Sequence, residues 1–277
     1  MKKIAALLTV HNRRDKTLSS LKNLKSQKLS EDVSVDVYLT DDGCTDGTRE
    51  AVSNQFPEVH VIDGDGSLFW NRGMYAAWQE ASKVDYDYYL WLNDDTFLYD
   101  DAISRLLNES DSHDDKAVVV GSTCSTTDKS LITYGGWVKG KKLIDVSSPQ
   151  KCETINGNIV LIPRFVYSKV GMNDPYFRHS AGDTDYGYRV IEAGLENWVA
   201  AGVYGECDLH DRKPIWCDPN MPLKARLKNL SSPTGCSIKE LFYLYRRHFG
   251  ILRGLRVVIT TTLHVLFPKL WNLKSKS

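Results

Sequence analysis

Short apolar runs alternate with amphipathic segments along the first third of the chain. Runs that are continuously apolar, or that alternate with polar residues, predict β-strands, and leucines at three-residue spacing predict a helix. The strands predicted in this way lie at residues 4–10, 33–39, 59–62 and 88–92. Helices are predicted between them, one starting near Asp15, one after the turn at 41–47 and ending near Gln55, and one over 73–81. This β-α-β-α order is typical of a parallel sheet covered by helices on both faces.

The rest of the chain divides into a less regular middle and a helical end. A hairpin is predicted over 131–146, a strand over 159–162 and a helix over 184–193. Basic helices follow from residue 223, and apolar residues keep helical spacing over 251–270. The longest uncharged run in that last segment has twelve residues. A bilayer requires about 20 residues, so the sequence predicts no transmembrane helix.

Charge is unevenly distributed although the chain has 35 basic and 35 acidic residues. Residues 221–277 contain eleven Lys and Arg against the single acid Glu240, which leaves 24 basic and 34 acidic residues in 1–220. We therefore expect one domain at 1–220 and a basic amphipathic helical extension at 221–277. Residues 246–270 either lie in an anionic membrane surface or pack on their own domain, and the sequence leaves both interpretations open.

The cysteines and the first apolar run give information on the cellular location of the protein. The six cysteines form no CxxC pair and have no metal-ligand spacing, which fits a reducing cytoplasm better than a disulfide framework. The first apolar run is too short, and too polar after Val10, for a signal peptide. We expect a cytoplasmic protein, with the inner face of the cell membrane as a further possibility.

Two adjacent carboxylates, Asp94 and Asp95, follow the predicted strand 88–92. Like charges raise each other's pKa, and a divalent cation removes that cost. Mg²⁺ in particular is usually held by one or two carboxylates together with substrate phosphates. A solvated turn in which Asp95 caps the next helix is the alternative, and this segment alone does not decide between them.

Four short segments contain the candidate chemistry, and three of them follow predicted strands. They are Thr-Val-His-Asn-Arg at 9–13, Asp-Asp-Gly-Cys-Thr-Asp-Gly-Thr at 41–48, Asn-Asp-Asp at 93–95 and Gly-Asp-Thr-Asp-Tyr at 182–186. In this order and spacing they resemble the family-2 glycosyltransferases of GT-A fold, over about residues 1–210. The second segment matches the usual run of that family except that Cys44 replaces a serine. The resemblance implies an α/β fold with a Rossmann-like, mostly parallel central sheet flanked by helices.

The resemblance also implies a donor site. Asp41 and Asp42 would accept a hydrogen bond from the nucleotide base, with Asp42 as the first choice. Thr9 would contact the nucleotide, Arg72 the base or a phosphate, and Asp94 the ribose. The donor would be a nucleotide-diphosphate sugar.

A metal site is implied next to the donor. Asn93 replaces the first aspartate of the family's metal-binding element, so Asp95 is the expected ligand of Mg²⁺ or Mn²⁺. His210 stands where many members carry a histidine close to the diphosphate or the metal. The ion would act as a Lewis acid that stabilises the departing diphosphate.

The catalytic base and the acceptor region are implied by the later segments. Asp183 would deprotonate the acceptor hydroxyl in an inverting transfer, which requires one base and no paired acid. Gly182 takes the position of a glutamate in the family's usual element. Asn156 and Gly157 lie in the segment that corresponds to the acceptor side.

The expected function is therefore metal-dependent, inverting transfer of a hexosyl or deoxyhexosyl group to a glycan or lipid-linked acceptor. Members with a basic helical tail often build bacterial surface polysaccharide, such as capsule or O-antigen. One alternative is a non-catalytic nucleotide-sugar or glycan-binding protein, because Asn93 and Gly182 depart from the family pattern. Another is a sugar nucleotidyltransferase, although the loop at 11–15 lacks the glycines usual there. No nucleic-acid reader motif is present in the sequence.

Overall fold

The computed structural model describes residues 1–209 and 214–270, which form two compact units. The first unit comprises 1–175 and 182–209, and the second comprises 176–181 together with the chain from 210 onward. The strands of the first unit are β1 Lys2–Val10, β2 Val33–Asp41, β3 His60–Asp63, β4 Tyr88–Leu92, β5 Phe97–Leu98, β6 Ala117–Cys124, β7 Ile132–Tyr134, β8 Gly136–Val138, β9 Lys141–Lys142, β10 Gln150–Cys152, β11 Thr154–Ile155, β12 Ile159–Pro163 and β13 Glu196–Glu206. Its helices are α1 Arg14–Lys25, α2 Thr48–Gln55, α3 Phe69–Ala81, α4 Ala102–Ser112, α5 Arg164–Val170 and α6 Gly182–Glu192.

A mixed sheet forms the centre of the first unit, in the strand order β10-β13-β6-β12-β4-β1-β2-β3. The four strands β4, β1, β2 and β3 are parallel, and β12 runs antiparallel to both β4 and β6. The pairing of Val10 with Asp41 brings the carboxyl ends of β1 and β2 to the same edge of the sheet. Ligands of open α/β sheets bind at that edge.

The two faces of the sheet are covered by separate hydrophobic clusters. Because strand side chains alternate between faces, Ile4, Ala6 and Leu8 join the cluster that includes α1 and α4, whereas Ala5 and Leu7 join the cluster with α3 and α6. The second cluster is rich in aromatic rings, which are those of Tyr38, Trp78, Tyr86, Tyr89, Trp91 and Tyr186. These large side chains fix α3 and α6 on the same face.

The predicted α/β fold is confirmed, including strand β4 with its predicted ends. Helix α3 begins at Phe69, four residues before the predicted start at 73. The reason is tertiary, because the carboxylate of Asp42 accepts the N–H groups of Leu68 and Phe69 and so satisfies the first turn from another loop. Within 131–146, β8 and β9 form the predicted hairpin around Lys139 and Gly140.

Strands β6 and β13 were not predicted. All eight residues of β6 are buried, and its Val118–Val120 run is a signal that periodicity analysis could have used. Strand β13 is harder to find, because the register of its pairing with β6 shifts between Val199 and Gly205. Irregular pairing of this kind breaks the period of two on which strand prediction depends.

The second unit is helical. Beyond residue 213 it contains a 3-10 turn at Ile215–Cys217, α7 Leu223–Asn229, α8 Ile238–Phe249, α9 Ile251–Leu266 and a final 3-10 turn at Pro268–Leu270. Ser237 caps α8 by accepting the N–H of Glu240, and Gly250, with φ of +84°, separates α8 from α9.

The segment 176–181 packs on α8 although it is distant in sequence. The Arg178 guanidinium donates to the buried carboxylate of Glu240 at 2.7 Å, and the ring of Tyr176 stacks on Tyr243 with centroids 4.0 Å apart. Phe177 is fully buried and meets the same Tyr243 ring edge-on. The segment 176–181 therefore folds together with α8. Glu240, the only acid between 221 and 277, has Arg178 as its structural partner.

Helix α9 packs through one face and exposes an apolar stripe on another. Gly254, Thr261 and Val265 are buried. The exposed stripe consists of Leu252, Leu255, Ile259, Leu263 and Leu266, and Leu252 is 78% exposed. No helix in the described ranges has both the length and the apolar character needed to span a bilayer.

Candidate active site

The candidate site begins where β1, β2 and β4 end. Loops 11–13 and 42–45 are joined by side chains, because Asn12 accepts the N–H of Thr45 at 2.7 Å and a His11 ring nitrogen lies 2.6 Å from the carbonyl oxygen of Asp42. Cys44, which replaces the usual serine, accepts the N–H of Asn12 at 3.2 Å. The thiol is therefore a structural link between the two loops, and burial raises its pKa to about 12.

Asp42 organises the loop that leads into α3. Its buried carboxylate accepts the N–H groups of Gly66, Leu68 and Phe69 at 2.8–3.1 Å. Two carboxylate oxygens offer about four acceptor positions, so most of the capacity of this side chain serves the loop. The predicted contact with a nucleotide base stays a prediction for Asp42.

Asp41 and Thr9 are also held by local contacts. Asp41 accepts the N–H of Cys44 at 2.7 Å and is buried. Thr9 lies against α3, where a β-carbon on Gly73 would come within 2.1 Å of its hydroxyl oxygen. Arg72, on the same helix, donates its Nε–H to the carbonyl oxygen of Pro175 at 2.8 Å. The structure thus places all three near the carboxyl edge of the sheet or on the helix that covers it, and their predicted nucleotide contacts stay untested.

Asp94 and Asp95 form a buried carboxylate pair that shares one guanidinium. Nη1 of Arg13 lies 2.8 Å from Oδ2 of Asp95 and 3.3 Å from Oδ1 of Asp94. Burial raises the pKa of Asp94 to about 7, a shift that the charge of Arg13 opposes and the charge of Asp95 reinforces. Sequence analysis gave Arg13 no role, although a basic residue in the loop after the first strand was the available signal.

This pair has the chemistry of a divalent-cation site. Hard cations prefer carboxylate oxygens, and a shared guanidinium already shows that a positive group fits between the two side chains. No cluster of three or more metal-ligating side chains occurs in the described parts of the chain. The predicted second ligand, His210, lies outside the described residues. Within the described ranges, substrate and water oxygens would complete the coordination of a bound ion, as is usual for Mg²⁺.

Asp183 stands at the start of α6, half-buried and held by two backbone groups. Its Oδ1 accepts the N–H of Thr184 at 2.8 Å and its Oδ2 accepts the N–H of Gly157 at 3.2 Å. Burial of the carboxyl group raises the pKa of Asp183, and the two N–H groups oppose the rise. A carboxylate with a fixed orientation and a raised pKa is suited to general-base chemistry.

The neighbouring Asp185 has a different environment. It is fully buried and pairs with Arg189 one turn later on α6, at 3.2 Å. This ion pair gives Asp185 a structural role within α6.

Contacts through Gly157 and Trp70 connect Asp183 to the strand ends. A β-carbon on Gly157 would come within 2.2 Å of the Trp70 ring, so only glycine lets the indole approach. The indole N–H of Trp70 donates to Oδ1 of Asn93 at 2.7 Å. A chain of contacts through Gly157 and Trp70 therefore links the candidate base to Asn93, the residue before the acid pair.

Asn156 has a structural partner on the predicted acceptor side. Its side-chain oxygen accepts the indole N–H of Trp137 at 2.9 Å. The predicted acceptor contact of Asn156 remains a prediction, as does that of Gly157.

Gly182 departs from the family pattern for a visible reason. A β-carbon at this position would lie 1.8 Å from the side-chain oxygen of Asn71, a buried residue of α3. Asn71 in turn donates to the carbonyl oxygen of Asp174 and accepts from the side chain of Asn173. The space beside Asp183 that a glutamate would need is thus filled by an asparagine network, which sequence analysis did not find.

The sheet order, with acids at parallel strand ends and a further carboxylate at the start of a later helix, agrees with a nucleotide-sugar glycosyltransferase. The chain belongs to glycosyltransferase family 2, because the family model described as "Glycosyl transferase family 2" matches residues 6–171. The whole chain also resembles a solved mannosyltransferase, PcManGT from Pyrobaculum calidifontis in complex with GDP-Man and Mn2+. That match has a TM-score of 0.58 at 12% identity and covers 99% of this chain and 88% of the other. It supports the GT-A fold, and a search of curated proteins finds no match.

Proposed function

We propose that the protein is a metal-dependent, inverting glycosyltransferase that uses a nucleotide-diphosphate sugar and takes Asp183 as its general base. The observation that carries the proposal is the environment of Asp183, whose carboxylate is held by the N–H groups of Gly157 and Thr184. Both bonds leave each carboxylate oxygen with acceptor capacity. An acceptor hydroxyl can therefore give its proton to Asp183 as its oxygen attacks the anomeric carbon.

Asp95 would hold Mg²⁺ or Mn²⁺, with His210 as a further candidate, and Asp94, whose predicted ribose contact stays a prediction, offers a second carboxylate beside it. A bound ion would stabilise the negative charge of the departing nucleoside diphosphate. Asp41, Asp42, Thr9 and Arg72 frame the proposed donor side. The fold neighbour was solved with GDP-Man and Mn2+, which makes GDP-sugars with Mn²⁺ the first donors to try.

The test is a thermal-shift panel of UDP, GDP, dTDP and CDP, each with and without Mn²⁺ or Mg²⁺. A ligand at about 100 times its Kd should add roughly 2.7 kcal/mol to the free energy of unfolding. Stabilisation by one nucleotide only when metal is present supports the proposal. Stabilisation by a nucleotide without turnover of any matching sugar donor and acceptor would favour a non-catalytic binding protein, and no response to any nucleotide would contradict the proposal.

The proposed acceptor is a glycan or a lipid-linked glycan of cell-surface polysaccharide, used at the inner face of the cell membrane. Support comes from α9, where exposed Arg253 and Arg256 lie beside an exposed apolar stripe. Apolar side chains flanked by cations are suited to a surface of anionic lipid. Glu240 contributes the only negative charge of residues 221–277 and is buried against Arg178.

Sedimentation with vesicles of anionic or zwitterionic phospholipid tests the membrane contact. We expect the protein to sediment with anionic vesicles, and the double substitution Leu252→Ser with Ile259→Ser to reduce the bound fraction. Ile144→Ser is the matched control, since Ile144 is 68% exposed but lies in the first unit. Equal binding by all three proteins, or none by the wild type, would contradict the membrane contact.

A further inference from the structure

The Arg13 guanidinium is a cation that contacts both acids of the Asp94–Asp95 pair. One nitrogen, Nη1, contacts both carboxylates. The two acids are nearly inaccessible, with side chains 8% and 4% exposed, whereas the side chain of Arg13 is 41% exposed. The guanidinium is thus the exposed partner of two buried acids.

The backbone of Arg13 is fixed while its side chain is free to leave without repacking the core. Its carbonyl oxygen accepts both the N–H and the hydroxyl of Thr17 at 3.0 Å, as the first turn of α1 forms. The guanidinium contacts the carboxylates at its tip, and close to half of the side chain faces water. Movement of this group changes the rotamer of Arg13 and breaks its two ion-pair contacts.

The two acids of the cluster repel each other. Asp94 and Asp95 are adjacent and buried, both contact the guanidinium of Arg13, and the charge of Lys16 also acts on Asp94. A divalent ion on the two oxygens that Nη1 contacts would meet the guanidinium there. Two cations in contact with one acid pair repel strongly where water is scarce.

We propose that Arg13 is an exchangeable counter-cation. It holds Asp94 and Asp95 in the metal-free protein, it leaves them when a divalent ion binds, and its freed guanidinium then contacts the diphosphate of the donor. This inference rests on the proposed function, because it needs a divalent ion at the acid pair. A guanidinium suits the last role, since its planar fork matches phosphate oxygens.

The test measures two affinities in Arg13→Ala, in Arg13→Lys and in the wild type. The first is the affinity for Mn²⁺ alone, followed by the electron paramagnetic resonance signal of free Mn²⁺. The second is the affinity of the Mn²⁺-saturated protein for GDP and UDP, followed by calorimetry. Melting temperatures of the metal-free proteins establish that each variant is folded.

We expect Arg13→Ala to change the two affinities in opposite directions. Arg13→Ala should bind Mn²⁺ alone about tenfold more tightly, because the competing cation is gone, and should bind the nucleoside diphosphate about tenfold more weakly. Arg13→Lys should fall between Ala and wild type in both, because it keeps the charge but loses the fork. A purely structural role would weaken both affinities together, and that outcome overturns the proposal.

Lys16→Ala is the matched control for charge. It removes one positive charge from the first turn of α1, and the field of Lys16 also acts on Asp94. If Lys16→Ala changes both affinities as much as Arg13→Ala does, the contact is not specific and the proposal is overturned. If the wild type binds Mn²⁺ neither alone nor with a nucleotide, the proposed metal-dependent function itself fails. Mn²⁺ binding by the wild type that is unchanged in Arg13→Ala overturns only the role of Arg13.

Discussion

The side-chain oxygen of Asn71 fills the space that a side chain on Gly182 would occupy, 1.8 Å from the position of an ideal β-carbon. Packing against α3 therefore explains why residue 182, which precedes the candidate base, is a glycine. A glutamate at this position of the chain would clash with the side chain of Asn71. The two positions form one steric unit.

Gly182→Ala should lower the free energy of unfolding by about 1–3 kcal/mol, the usual cost of overpacking a well-filled site. Chemical denaturation measures the loss. The double variant Gly182→Ala with Asn71→Ala should lose less than the sum of the two single variants, because the second change removes the clash. Strict additivity would show that the two residues do not meet.

Asp183→Asn should reduce kcat by about 10²–10⁴-fold, the range for loss of a general base. Donor affinity should stay near that of the wild type, because the shape is kept. Calorimetry with the donor nucleotide and steady-state kinetics separate the two effects. Asp185→Asn is the contrasting variant, since it breaks the buried pair with Arg189, and it should lower the melting temperature instead.

We expect kcat to fall at acid pH, with the midpoint of the fall above the ordinary pKa range of aspartate. Burial raises the pKa of Asp183, and a general base must be deprotonated, so kcat rises with pH through that raised pKa and then levels off. A profile of kcat against pH measures the midpoint of this fall. Donor affinity measured over the same pH range is the control. A midpoint near pH 4 with unchanged donor affinity would argue against Asp183 as the base.

Stability of the metal-free protein should fall as the pH rises from about 4 to about 7. The pKa of Asp94 is about 7 in the folded protein against an ordinary value of 3.8. The folded state therefore binds a proton that the unfolded chain releases in this window, so the free energy of unfolding decreases there. Denaturation curves at several pH values should show the decline, and Asp94→Asn should flatten it.

The parts of this site that follow from backbone order could be predicted from sequence. Apolar runs followed by acids locate strand ends, so residues 41–42 and 94–95 were found together with the parallel sheet that joins them. Asp183 was found by the ordered resemblance of four motifs. In each case the signal is local or depends on a short spacing.

The contacts that hold the site could not be predicted in the same way. Asp42 accepts N–H groups at the start of α3, the ring of Trp70 contacts Gly157, and the side chain of Asn71 fills the space next to Gly182. The two residues of each pair are more than 25 positions apart in sequence. Such pairs depend on how helices settle on the sheet. A glycine or an asparagine in a sequence does not say which distant atom it meets.

The chain leaves the first unit at Pro175, passes through 176–181 in the second unit and returns at Gly182. Cleavage after Leu209 would therefore yield a larger fragment that still carries Tyr176, Phe177 and Arg178, while their partners Tyr243 and Glu240 reside on the smaller one. The two fragments should co-elute after proteolysis and come apart only in denaturant. For anyone designing a shortened form, the first unit cannot be excised by a single cut, and the helical second unit must be co-expressed with it.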